Sequence, residues 1–98
     1  MLKFYYVSGN DDVAVSQKNI KSKVREFIDL YHMDKYVNNN FKISQVDIIN
    51  AIGVAIYDKK ISHEDVLIIV EELKQEFSFD EEGCLTKFWY EFTPSWDY

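Results

Sequence analysis

The chain has 98 residues, 29% charged and 47% hydrophobic, and a formal net charge of −6. That length leaves room for one core, so a single acidic domain over residues 1–98 is expected. One Pro, three Gly and one Cys exclude a disordered linker, a collagen-like repeat and a disulfide framework, and no apolar run approaches the ~20 residues of a membrane span.

Leu2 to Val7 reads as a strand, with Leu2, Phe4 and Tyr6 on one face and Lys3, Tyr5 and Val7 on the other. This apolar opening is too short for a signal peptide and lacks a small-residue cleavage site. Ser8-Gly9-Asn10-Asp11-Asp12 breaks the strand, because Gly and Asn tolerate positive φ and Asp bonds nearby backbone. A first helix is predicted from roughly Ser16 to Met33. Ile20, Val24, Phe27, Ile28 and Tyr31 recur at helical spacing on one face, and Lys18, Lys21, Arg25 and Asp29 lie opposite.

Between Asp34 and Lys42 the run Asn38-Asn39-Asn40 favours a turn over a helix. Ser44 then offers an N-cap with Asp47 three positions on, and Ile43 and Ile48 are placed as a hydrophobic staple. The second helix, about Gln45 to Tyr57, is apolar almost all round and belongs at the centre of the domain. Gly53 costs roughly 1 kcal/mol against Ala within a helix, which predicts a close helix crossing there.

Lys-Ile-Ser recurs eighteen residues later, with Ser62 as cap and Asp65 at the third position. A third helix is predicted from about His63 to Glu76, burying Val66, Ile69, Val70 and Leu73 and exposing Glu71, Glu72 and Gln75. The short link Asp58-Lys59-Lys60 makes helices two and three an antiparallel hairpin. Phe77-Ser78-Phe79 and Cys84 to Phe92 flank Asp80-Glu81-Glu82-Gly83 as a β-hairpin. In its last strand Cys84, Thr86, Phe88, Tyr90 and Phe92 should face the helices, with Trp89 and Glu91 outward. Pro94 ends the strand, leaving Trp96 and Tyr98 in an aromatic tail. The expected fold is α+β in two layers: an N-terminal strand, three helices with the second buried, and a C-terminal β-hairpin.

The supply of chemically active groups is thin. His32, His63 and Cys84 are the only imidazoles and thiol, and Cys84 beside a turn reads as a small core residue rather than a nucleophile. His63-Glu64-Asp65 lacks the second His a zincin helix needs, since Leu67 occupies that place. The consecutive carboxylates Asp80-Glu81-Glu82 do not alternate as calcium ligands must. The three glycines stand apart, so no phosphate-cradling loop exists. No catalytic, cofactor-binding or metal-binding residue emerges, and the chain is expected not to be an enzyme. The basic cluster Lys18, Lys21, Lys23 and Arg25 reads as a solvated helix face beside Glu26 and Asp29, with contact to phosphates as the alternative.

Charge is distributed unevenly. Residues 1–60 carry nine Lys/Arg against seven Asp/Glu, whereas residues 61–98 carry two Lys against ten Asp/Glu. The acidic part would repel nucleic acid, so the complementary partner is a basic protein. Near the C-terminus Phe88, Trp89, Tyr90, Phe92, Trp96 and Tyr98 are interleaved with Glu91 and Asp97, the mixture of aromatic anchors and charged rim seen at protein interfaces. Glu81, Glu82, Trp89, Glu91, Trp96 and Tyr98 are therefore the candidate partner-binding residues; the alternative has the tail folding back over the sheet, covering Trp89 and completing a minor core. The expected function is inhibition of a basic partner such as a nuclease by occlusion, in the manner of immunity or phage anti-defence proteins. The alternative is a structural subunit that self-associates through its aromatic edge. A lone Cys fits a reducing cytoplasm. Ten lysines against one arginine fit an AT-rich genome such as that of a low-GC bacterium or its phages.

Overall fold

In the computed structural model the described residues are 1–7, 17–34, 38–87 and 89. The predicted turn at 8–12, together with Phe88, Tyr90, Glu91, Phe92, Pro94, Trp96 and Tyr98, lies outside them. So does the side chain of Lys18.

The elements run β1 (Leu2–Tyr6), α1 (Gln17–Met33), β2 (Asn39–Ile43), α2 (Val46–Tyr57), β3 (Val66–Val70) and β4 (Gln75–Ser78). The strands form one mixed sheet in the order β2-β1-β3-β4. β1 is parallel to both neighbours, and β3 and β4 are antiparallel. The described residues thus make a small α+β fold with two helices.

Register aligns the inward residues in rows. Phe4 lies opposite Phe41 on one side and Ile68 on the other, and Ile68 lies opposite Phe77. Leu2, Phe4 and Tyr6 are buried as the alternation predicts, while Lys3 and Tyr5 on the reverse face are half-buried. α1 sits on the inward face, where Phe27 meets Phe4 edge-on at 5.0 Å and Phe41 at 4.6 Å. Its predicted stripe of Ile20, Val24, Phe27 and Tyr31 is buried. α2 lies on the same face, since Gly53 approaches the ring of Phe79, which follows Phe77 along β4.

Several expectations are corrected. The predicted third helix does not form: residues 63–65 make one 3-10 turn, 66–70 become β3, residues 71–73 make another 3-10 turn and 75–78 become β4. Val66-Leu67-Ile68-Ile69-Val70 is an unbroken aliphatic run, and a strand paired on both sides can bury all of it. Val66, Ile68 and Val70 point into the core, Leu67 and Ile69 are half-buried on the reverse face, and Leu73 is 39% exposed. Ser62 caps no helix; its carbonyl accepts from the Asp65 N–H at 3.0 Å and its side chain makes no cap bond. The Asn-rich stretch read as a turn supplies β2, an edge strand that needs only the main chain of β1 as its partner. α2 is capped at Gln45 rather than Ser44, without a side-chain cap bond. Its buried residues include Ile48, Ile49, Ile52, Ala55 and Ile56, which matches the central position expected.

The second strand predicted from Cys84 onward does not form over residues 84–87, and what remains of the predicted hairpin among the described residues is its turn and one isolated bridge. Phe79 pairs with Leu85, and the Thr86 N–H donates to the Ser78 carbonyl at 3.0 Å. The facing is different too. Thr86 is exposed, whereas Trp89, expected outward, is only 3% exposed. The indole stacks on Phe77 at 5.4 Å and meets Tyr6 edge-on at 4.9 Å, so it completes the core at that end of the sheet.

Candidate functional site

Glu81 and Glu82 are exposed on the turn that follows β4. Asp80 holds this turn: its Oδ1 accepts the backbone N–H of Glu82 at 2.9 Å and of Cys84 at 3.0 Å. The main chain adds Asp80 N–H to the Cys84 carbonyl at 2.8 Å and Gly83 N–H to the Asp80 carbonyl at 3.0 Å. An Asp bonding the backbone two residues on is a recurrent turn former, so the conformation follows from local sequence.

The turn is also fixed from below. Gly83 has φ +79, and a Cβ there would meet the Gly53 carbonyl oxygen and come within 2.7 Å of its carbon. A Cβ on Gly53 would in turn meet the Gly83 carbonyl oxygen. The close approach expected at Gly53 is therefore real, but it is made to the acidic turn and not to another helix. Backbone lies on backbone, with no side chain between them to adapt.

Beside the turn a groove of about 450 Å3 gathers residues from three parts of the chain. Tyr31 and His32 come from the end of α1, Lys59 and Lys60 from the link after α2, and His63 from the turn before β3, with Glu81 on the rim. Buried Tyr31 anchors the assembly by donating its hydroxyl hydrogen to Asp65 Oδ2 at 2.6 Å. Burial, followed by the hydrogen bond to Asp65, raises the Tyr31 pKa above its ordinary value, and a backbone hydrogen bond from Ser62 opposes this. His63 Nε2 lies 4.0 Å from Glu64 Oε1, a long contact for an ion pair.

Sequence reading places His32 and His63 apart and does not bring them together, because the tie between them is the long-range Tyr31–Asp65 bond. The groove contains no relay. No hydrogen bond among the described residues joins its imidazoles to its lysines or to Glu81, and Cys84 does not line it. Burial, then Asp80 and Glu82, pushes the Cys84 thiol pKa up, which keeps it protonated and weakly nucleophilic near neutral pH. Among the described residues no group of three or more His, Cys, Asp or Glu could hold a metal ion, and no helix is long and apolar enough to cross a membrane.

The structure thus places Glu81 and Glu82 on a rigid exposed turn and Trp89 inside the core. Glu91, Trp96 and Tyr98 fall outside the described residues. Comparison with protein-family models, with curated proteins and with solved structures found no match.

Proposed function

We propose that the protein is a small acidic binding protein, not an enzyme, that inhibits a basic partner by covering its surface. The partner class is a nuclease or another nucleic-acid enzyme, and the mode is that of immunity and phage anti-defence proteins acting in the cytoplasm. One observation carries this reading: Glu81 and Glu82 are exposed on a turn whose backbone is held by Asp80 and seated on Gly53. Charges presented by a rigid element bind with less ordering cost than charges on a mobile loop.

Residues 71–82 carry six carboxylates against one lysine, Lys74. Glu71 and Glu72 stand at one end of β4, Glu76 lies along it, and the acidic turn stands at the other end; all are exposed. Such an edge steers a basic surface toward it before short-range contacts form. Glu91, Trp96 and Tyr98 remain part of the proposed interface. Trp89 does not, because its ring belongs to the core, and this removes one anchor from the aromatic edge that self-association would use.

The reading is tested by capturing the partner from the producing cells with the purified chain and measuring the affinity of the pair. Chelator, alkylation of Cys84, and the replacements His32→Ala and His63→Ala should each leave binding and inhibition unchanged, because occlusion requires neither metal nor nucleophile. Loss of inhibition with folding intact under any of these treatments points to a chemical site and overturns the proposal.

A further inference from the structure

A second groove, of about 500 Å3, runs between α1 and α2. Its floor is apolar: Val24 and Ile28 come from α1, and Ala51, Val54 and Ala55 from α2. The helical period sets Ala51 and Ala55 on the side of α2 away from Gly53, so this groove lies across the helix from the acidic turn. The short side chains of Ala51 and Ala55 leave the space unfilled. Ile28 and Val54 remain half-buried beside it, so apolar surface is left in contact with water.

The rim holds cations on both banks. Lys21 and Arg25 stand on α1, one turn apart, and Lys60 stands opposite, after the end of α2. All three are exposed, and none forms an ion pair among the described residues. Asp29 and Asp58 also reach the rim, which leaves it with a net charge of only +1. A polyanion such as nucleic acid would meet both carboxylates. A single negative group seated among the three cations would not need to. The volume falls in the range of roughly 300–1,000 Å3 typical of small-molecule clefts.

We propose that this groove binds a free amphipathic anion, with its single carboxylate or phosphate head among Lys21, Arg25 and Lys60 and its apolar body on the Val24–Ile28–Ala51–Val54–Ala55 floor. The inference is independent of partner binding through the acidic turn. Its two components are complementary: the floor supplies the affinity for the body, and the three rim cations select the charge.

The test is a methyl and amide NMR titration of the full chain with decanoate and with decyl phosphate, both below their micellar concentrations. Saturable shifts are expected at Val24, Ile28, Ala51, Val54 and Ala55. Decan-1-ol, the uncharged analogue, should bind about tenfold more weakly, as should decanoate to the triple variant Lys21→Gln, Arg25→Gln, Lys60→Gln, since screened ion pairs contribute only modestly each. Those side chains are exposed and form no ion pair among the described residues, so the variant should retain its spectrum; if it does not fold, Lys60→Gln alone and the decanol comparison decide. Four outcomes overturn the proposal: no saturable shifts, shifts centred elsewhere such as the Tyr5–Ile69 face of the sheet, equal affinity for the acid and the alcohol, or a response only to anionic phosphatidylglycerol vesicles.

Discussion

The two flanks of α2 are held in different ways. Toward α1 the contact is made by side chains over an apolar floor that leaves an open groove. Toward the acidic turn it is made by Gly53 and Gly83, main chain against main chain. Side-chain packing can relax when one residue changes, whereas two apposed backbones cannot. The backbone-to-backbone flank is the one that displays Glu81 and Glu82, and the side-chain flank is the one that carries Lys21, Arg25 and Lys60. The proposed partner surface and the proposed ligand groove thus sit on opposite sides of one buried helix.

The contrast is broken most severely on the turn side. Gly83→Ala should lower unfolding free energy by about 4 kcal/mol, from ~1–2 kcal/mol for an Ala in the left-handed region and ~1–3 kcal/mol for overpacking against Gly53. Trp89→Ala should cost a similar ~3–5 kcal/mol, as expected for a large buried ring. Gly53→Ala should cost about 2 kcal/mol, with the clash partly offset by the ~1 kcal/mol that Ala gains in a helix. Urea denaturation measures all three. A Gly53→Ala variant more stable than wild type would show that the turn does not rest on α2.

Tyr31 supplies a pH-dependent check on the groove beside the turn. Its folded pKa is raised by burial first and by Asp65 next. The stability it contributes is therefore complete below about pH 10, the unfolded phenol value, and is lost as pH rises through the folded pKa. Tyr31→Phe should be less stable by about 1.5 kcal/mol at pH 7, because the Asp65 carboxylate loses a donor. The two stability curves should converge above pH 10. Parallel curves up to pH 12 would contradict the assigned hydrogen bond. The smallest effect is expected at Cys84, where Glu82→Gln removes one of the lesser causes of the raised thiol pKa and should speed alkylation at pH 8 only a few fold.

What the sequence conveyed follows from the range of each determinant. α1, α2 and β1 were legible because their patterns are local: the Ile20–Tyr31 stripe, the all-round apolar helix and the Leu2/Phe4/Tyr6 alternation. The acidic turn was legible for the same reason. The segment 63–76 reads as a helix because Val66, Ile69, Val70 and Leu73 fit a helical face as well as a strand; of the deciding neighbours, β1 is remote in sequence, and β4 is split between the predicted helix (Gln75, Glu76) and the predicted hairpin (Phe77, Ser78). β2 was missed because Asn39 and Asn40 are poor strand formers on their own and are held by pairing with Leu2 and Lys3. Trp89 was turned the wrong way because the alternation expected from Cys84 onward does not continue, and Phe77 and Tyr6 provide its site. Of the site, the charges could be read from the sequence. The seating of the turn on Gly53 and the placement of His32 and His63 on one groove could not.

The turn carrying Glu81 and Glu82 is proposed to recognise a basic protein. Capture from the producing cells should be run in parallel with wild type and with the double variant Glu81→Lys, Glu82→Lys. Both side chains are exposed, so the variant should melt within about 0.5 kcal/mol of wild type. A basic protein retained by wild type at low salt should be lost or much reduced on the folded variant, with slower association and a flatter salt dependence. Equal retention of that protein by both chains, unaffected by salt, would contradict it.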